Sequence, residues 1–221
     1  MAARGSSAVS EVVASSFPSR VRPENERLEK MKKHFLPLLV AMLWMGFVYP
    51  TASEPAEATG AASFVAPKDK AMVVFVRPEK FGKAVWFYVL DENKNLVTML
   101  KGNEHVAITT SPGKQAFHVV SENAVTVQAE IGAGRTYIIH TKPKMGMGKA
   151  RVIVEPALRG SPSFAASAQW VRDAKPGEPD FGKGKKWVSK HQDAINTRIG
   201  EAETLTMGVE DGRTQEEAGV L

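Results

Sequence analysis

The sequence predicts a mainly β protein: an antiparallel β-sandwich of about eight strands followed by one or two C-terminal helices. Short apolar runs rich in β-branched and aromatic residues recur from Ala71 to Pro156, the composition that suits a pleated, half-buried surface. Turn residues separate the runs, and no helical period intervenes, which is the spacing of a sandwich or barrel. A parallel sheet needs crossover connections of about a dozen residues or more, and this stretch has no room for them.

The elements follow in order. Ala71–Arg77 is a strand closed by Pro78. Residues 84–90 and Leu96–Leu100 form a hairpin around Asp91-Glu-Asn-Lys-Asn95, because Asn and Asp bond their own backbone and tolerate left-handed geometry. After Lys101-Gly-Asn103, residues 105–110 form a fourth strand, stopped by Ser111-Pro-Gly-Lys114, where Pro fixes φ and Gly supplies positive φ. Residues 115–120 are the fifth. Ala124–Ile131 is the sixth, with Val125, Val127 and Ala129 alternating with Thr126, Gln128 and Glu130. Gly132-Ala-Gly134 turns the chain into a seventh strand over 135–142, and residues 150–155 form the eighth, in which Val152 and Val154 share a face.

Beyond Pro156 the period changes, and residues 157–206 read as a helical extension. Ser161-Pro-Ser163 has the residues of a helix start, and Phe164, Ala168 and Val171 follow at helical spacing beside Trp170. Pro176, Gly177 and Pro179 make residues 173–180 a loop. A longer helix is expected from about Lys185 to Leu205, with Val188, Gln192 or Ile195, Ile199 and Ala202 on the face that covers the sheet. Lys183, Lys185, Lys186 and Lys190 surround Trp187, either as a solvated helix start or as a contact for anionic lipid or glycan. Residues 207–221 are polar and glycine-containing, and read as a flexible tail.

The other end of the chain reads as an address. Met31-Lys-Lys-His34 is basic, Phe35 to Tyr49 carries no charge over 15 residues, and Pro50-Thr-Ala-Ser53 precedes Glu54. Basic, apolar, small is the order of a secretory signal peptide, and the apolar run falls short of the roughly 20 residues of a membrane span. Residues 31–53 are therefore expected to be a signal peptide, cleaved after Ser53 or after Ala52, Ala56 or Ala58, and the protein to be periplasmic. The alternative is an uncleaved segment that keeps the chain at the membrane. Residues 1–30 are expected to be an upstream artefact or disordered extension, with translation starting near Met31. Residues 54–70, rich in Ala, Glu and Pro, form a linker.

The 221 residues carry a formal net charge of +5, and Met1–Ser53 holds seven Lys/Arg against four Asp/Glu. The rest holds 22 against 20, too small a surplus to argue for nucleic acid. There are no cysteines, hence no disulfide, cysteine-type zinc site, cysteine nucleophile or lipoprotein attachment point.

No catalytic, cofactor-binding or metal-binding residue is assigned. His34, His105, His118, His140 and His191 form no spaced metal motif. His105, His118 and His140 fall on three different strands. His140 with Met145 and Met147 has the imidazole and thioether chemistry of a copper ligand set, or simply of a hairpin loop. Gly132-x-Gly134 and Gly146-x-Gly148 lack the rest of a phosphate loop, and no Gly-x-Ser-x-Gly elbow occurs. Asp91, Glu92, Glu122 and Glu130 offer carboxylates whose separation a sequence does not fix.

Val73-Val-Phe-Val-Arg77, Ser111-Pro-Gly-Lys114 before Phe117-His-Val119, and Ala133-Gly-Arg-Thr-Tyr-Ile138 together make the central block similar to a bacterial exported domain of unknown function. That domain is found in small lipoproteins and is related in style to PEGA-like and transthyretin-like sandwiches. The resemblance implies an extracytoplasmic sandwich and no established activity. The expected function is accordingly a non-enzymatic periplasmic module that binds or assembles with an envelope protein or glycan, without cofactors.

Overall fold

The computed structural model describes residues 64–145 and 150–221; the signal-peptide, start-site and upstream expectations, His34, and Met147 lie outside them. The described residues are mainly β, with ten strands in two sheets and helices that follow the central block.

Eight strands fall between residues 71 and 156: β1 (Ala71–Arg77), β2 (Phe87–Leu90), β3 (Leu96–Leu100), β4 (Glu104–Thr110), β5 (Gly113–Val120), β6 (Ala124–Ile131), β7 (Thr136–Met145) and β8 (Ala150–Pro156). Two more, β9 (Lys175–Pro176) and β10 (Glu203–Met207), come from the C-terminal region. The first sheet has the order β8-β7-β1-β4-β9 and the second β10-β6-β5-β2-β3.

Turn chemistry sets the hairpins. Asp91 accepts the Asn95 amide on Oδ1 at 2.8 Å, and Lys94 takes φ 64° within the β2–β3 turn. Gly113, at φ 120°, opens β5 after Pro112.

The expectation of wholly antiparallel sheets is corrected: both sheets are mixed. β1 pairs antiparallel with β4, from Ala71–Thr110 to Arg77–Glu104, but parallel with β7, from Met72–Thr136 to Val76–His140. β9 joins β4 and β10 joins β6, both parallel. Long excursions through other strands and helices separate these partners in the chain, so the rule that parallel neighbours need a substantial connection still holds.

β1 explains the uninterrupted apolar run. All seven of its residues are buried, because both of its faces are covered. Ala71, Val73 and Phe75 join one core cluster with Phe87 and Val89 of β2, Phe117 and Val119 of β5, Val125 and Val127 of β6, and Tyr137 and Ile139 of β7. Phe75 meets Phe117 edge-on at 5.5 Å between ring centroids. Met72, Val74 and Val76 point the other way, into a second cluster with Val171 and Ala174.

That second cluster is roofed by α1 (Pro162–Asp173), whose N-cap Ser161 accepts the Phe164 amide. Ala66 and Phe64 also pack there, so the end of the expected linker belongs to the folded structure. The outer face of the second sheet is covered by α2 (Phe181–Lys190) and α3 (Gln192–Gly200), with Val188 and Ile195 packed on Tyr88, Leu90, Met99 and Val120. A Cβ at Gly184 would overlap Leu96 Cδ2 and Met99 Sδ, so glycine is what lets α2 lie this close.

The single helix expected from Lys185 to Leu205 is instead two helices and a strand. The break falls at His191, whose ring Nδ1 and backbone N–H both meet the Trp187 carbonyl, at 2.8 and 3.1 Å. Residues 203–207 go to β10 because Leu205 and Met207 reach the shared core only from an extended chain alongside β6.

Instead of the flexible tail expected over 207–221, the chain forms a 3-10 turn (Val209–Asp211) and a short helix, α4 (Gln215–Ala218), with Asp211, Arg213 and Ala218 buried. Arg159 clamps this segment with two bonds to Glu217, at 2.9 and 3.0 Å, while Arg159 and Arg213 both lie against the Phe164 ring. Edge strand β8 is partly capped: the Asn123 side chain donates to Val152 O at 3.0 Å and accepts from Val152 N at 2.7 Å.

If the two sheets share one core, Phe75→Ala should cost about 3–5 kcal/mol by urea unfolding, and Ile153→Ala, on the open face of β8, no more than about 0.5 kcal/mol. Similar small losses at both positions would disprove the shared core.

Candidate functional site

The polar end of the first sheet begins at Arg77, the last residue of β1 and fully buried. A buried guanidinium needs acceptors around its planar fork. Nη1 donates to Val85 O at 2.7 Å, and Nη2 to Gly82 O at 2.8 Å and Phe81 O at 3.2 Å. The guanidinium also lies 4.3 Å over the Phe87 ring. Burial pushes its pKa down, opposed by Glu79 and Glu104. The loop from Pro78 to Trp86 thus wraps the cation, with Gly82 at φ 65° turning its carbonyl inward.

This wrapping sets Glu79 against His140. Glu79 Oε1 lies 2.7 Å from His140 Nε2. His140 is 4% exposed and is covered by the Trp170 ring of α1 at 4.3 Å. Glu155, opposite His140 in the β7–β8 register, lies 3.9 Å from Nδ1 and pairs with Lys142 at 2.5 Å. Burial alone would raise the Glu79 pKa, but the His140 hydrogen bond and charge, with Lys142 farther off, hold it below the usual carboxylate value. Arg77 Nε, Glu79 Oε2, Asn103 Oδ1 and His140 Nδ1 are buried without a hydrogen-bond partner. Of these residues, Glu79 also lines a shallow, open cleft, together with Pro78, Lys80 and Asp173. The arrangement can hold a proton between carboxylate and imidazole.

The residues singled out in the sequence disperse. His105 and His140 both flank Val76, on β4 and β7, so they share a face. Two strand spacings put them about 10 Å apart. His105 bonds Ala174 O through Nδ1 at 3.2 Å and meets Phe64 edge-on. His118, in the other sheet, bonds Thr126 Oγ1 at 2.9 Å. Met145 stands five residues beyond His140 on the same strand, which means opposite faces and about 16 Å of rise. The described residues therefore do not bring His140 and Met145 together. Trp187 is stacked on Tyr88 at 3.9 Å, and Lys183, Lys185, Lys186 and Lys190 stand exposed around it, as on a solvated helix. Asp91 caps its own turn, and Glu122 meets Arg198 at 3.5 Å.

From the sequence, Arg77 reads only as a strand end and Trp170 only as a helix residue, and nothing marks Glu79. Their meeting depends on the parallel β1–β7 pairing and on where α1 docks, neither of which has a local signal. Glu155 alone was within reach, as a neighbour of His140 in the last hairpin. Among the described residues, no group of three or more His, Cys, Asp or Glu side chains is placed to hold a metal ion. No protein-family model matches the chain, and no curated protein matches it.

Acid should unfold the protein in two limbs. Burial lowers the pKa of His105 and, with help from Lys94, of His118, relative to the usual 6.5. The unfolded chain therefore takes up those protons first, and stability that is full above pH 6.5 falls as pH drops through the lowered folded values. Glu79 is depressed below 4.5, and Glu217 is held at about 2 by Arg159 and the Thr214 amide. Their contribution is present above pH 4.5 and is lost as pH falls below it. Urea midpoints from pH 8 to 3 should show both limbs, with His118→Gln flattening the first and Glu79→Gln the second. A midpoint constant from pH 7 to 5 would contradict the assignment of the histidines.

Proposed function

We propose that the chain is an exported, non-enzymatic β-sandwich module that binds an envelope protein or glycan at the cleft beside Glu79. The observation that carries this reading is Glu79, whose Oε2 is buried without a hydrogen-bond partner and which lines an open cleft with Pro78, Lys80 and Asp173. Folded proteins satisfy nearly all buried polar groups, so a partnerless carboxylate oxygen on a residue of the cleft favours a bound group that supplies a donor. The core cluster common to both sheets supports a sandwich. The basic, apolar, small order of residues 31–53, and the resemblance of the central block to exported PEGA-like domains, support a periplasmic location.

Two measurements test it together. Amino-terminal sequencing of periplasmic protein should find a start between Ser53 and Thr59. A photo-crosslinker at Lys80 should capture envelope material that one at Ser111 does not, with capture reduced several-fold by Glu79→Gln. A membrane-bound chain starting at Met1 or Met31 would replace export with an uncleaved anchor. Equal capture at Lys80 and Ser111 would remove the cleft.

A further inference from the structure

The positive charge beyond Ser53 is concentrated on one short helix. Residues 54–221 carry 22 Lys/Arg against 20 Asp/Glu, and residues 181–192 hold four of the lysines and no acid, which leaves 18 against 20 for the rest. Gly184 and Val188 are the buried residues of α2. At 3.6 residues per turn, Lys183, Lys186 and Lys190 fall within about 60° of one another, on the side away from that buried pair. They form a row roughly 10 Å long, with Lys185 on its flank. All four are exposed. Among the described residues, the one ion pair they make is Lys183 with Asp180, at 3.2 Å.

The row works against the helix that carries it. Lys183 and Lys186, and Lys186 and Lys190, are like-charge neighbours at i,i+3 and i,i+4, a destabilising arrangement. Lys183 also sits in the first turn, where the macrodipole disfavours a cation and where α2 has no acidic residue. The next helix does the opposite: α3 has Asp193 in its first turn and Arg198 in its last. A row kept against these local preferences points to something outside the chain.

We infer that α2 binds a linear acidic polysaccharide, with the carboxylates of successive sugar repeats lying along Lys183, Lys186 and Lys190. The make-up of the helix selects this partner among polyanions. No large apolar side chain of α2 is exposed, so a bilayer surface would find nothing there to take into its interfacial layer. Trp187 is already stacked on Tyr88 at 3.9 Å and on His191 at 4.6 Å, so it offers no platform to a nucleic-acid base. The cations are lysines, point charges on flexible stems that meet repeated carboxylates without the paired geometry of arginine. This surface belongs to the second sheet and the Glu79 cleft to the first, so the inference stands whether or not that cleft is occupied.

Fluorescein-labelled polygalacturonate, titrated with the full chain and followed by anisotropy, tests it. Binding is expected at low salt and should be lost toward about 0.5 M salt, as screening requires. Neutral dextran should give no response. Lys183→Gln, Lys186→Gln and Lys190→Gln together should weaken binding about tenfold, since each exposed pair contributes modestly and three act together. Lys114→Gln, Lys144→Gln and Lys175→Gln remove the same charge from exposed positions elsewhere, and should weaken it less than about twofold. The urea midpoint of the first triple variant should hold or rise, because the like-charge neighbours are gone. That readout separates lost binding from lost folding. No binding, an equal loss in both triple variants, or a lower urea midpoint in the first would each overturn the inference. So would tighter binding to phosphatidylglycerol vesicles or to polythymidylate than to polygalacturonate, which would assign the row to a membrane or to nucleic acid.

Discussion

The polar end of this fold depends on one buried cation. Arg77 ends β1, the strand buried on both faces, and is out of solvent itself. Desolvating a charge costs several kcal/mol by the usual order of magnitude, and hydrogen bonds must offset it. Here the acceptors are main-chain carbonyls of residues 81, 82 and 85. The cation therefore holds the loop at residues 81, 82 and 85, Val85 and Trp86 pack it against the core clusters, and Phe81 is left to point outward. Glu79 meets His140 because it sits two residues past the guanidinium and one strand away from β7.

The same constraint links the cleft to the β7–β8 hairpin. Pro78, Glu79 and Lys80 line the cleft with Asp173, and Gly82, further along the loop, lies close to Pro143 of β7. The hairpin is fixed at its root by β1, through Val76–His140, and along β8 by the Asn123 side chain. Changes at Arg77 should reach the cleft, whereas the lysine row of α2 can be altered without touching it.

Local chemistry made much of the β framework legible. Leu96–Leu100 and Ala124–Ile131 fall where β-branched residues and turn residues place them, and Ser161 caps α1 as its position before Pro162 suggests. What stayed hidden was non-local. Nothing near Val76 says that its partners are His105 and His140. Residues 185–205 carry a helical period, yet His191 folds back on Trp187, and Thr204 and Thr206 follow Leu205 and Met207 into a strand because β6 offers a free edge. The C-terminal residues looked loose because their anchors, Arg159 to Glu217 and Arg213 to Ser167, span dozens of residues. The Glu79–His140 pair was invisible for the same reason: its two residues are 61 apart in the chain.

The central claim is that Arg77 organises residues 78–86 and, through them, the site. Amide exchange in Arg77→Met tests it most directly. The Val85 amide, bonded to Gly82 O at 2.9 Å, should lose its protection, while amides of Val73 and Phe75 in the middle of β1 keep theirs. Unchanged protection at Val85 would show that the loop holds its shape without the cation. Loss in step throughout β1 would show that Arg77 supports the whole sheet rather than this end of it.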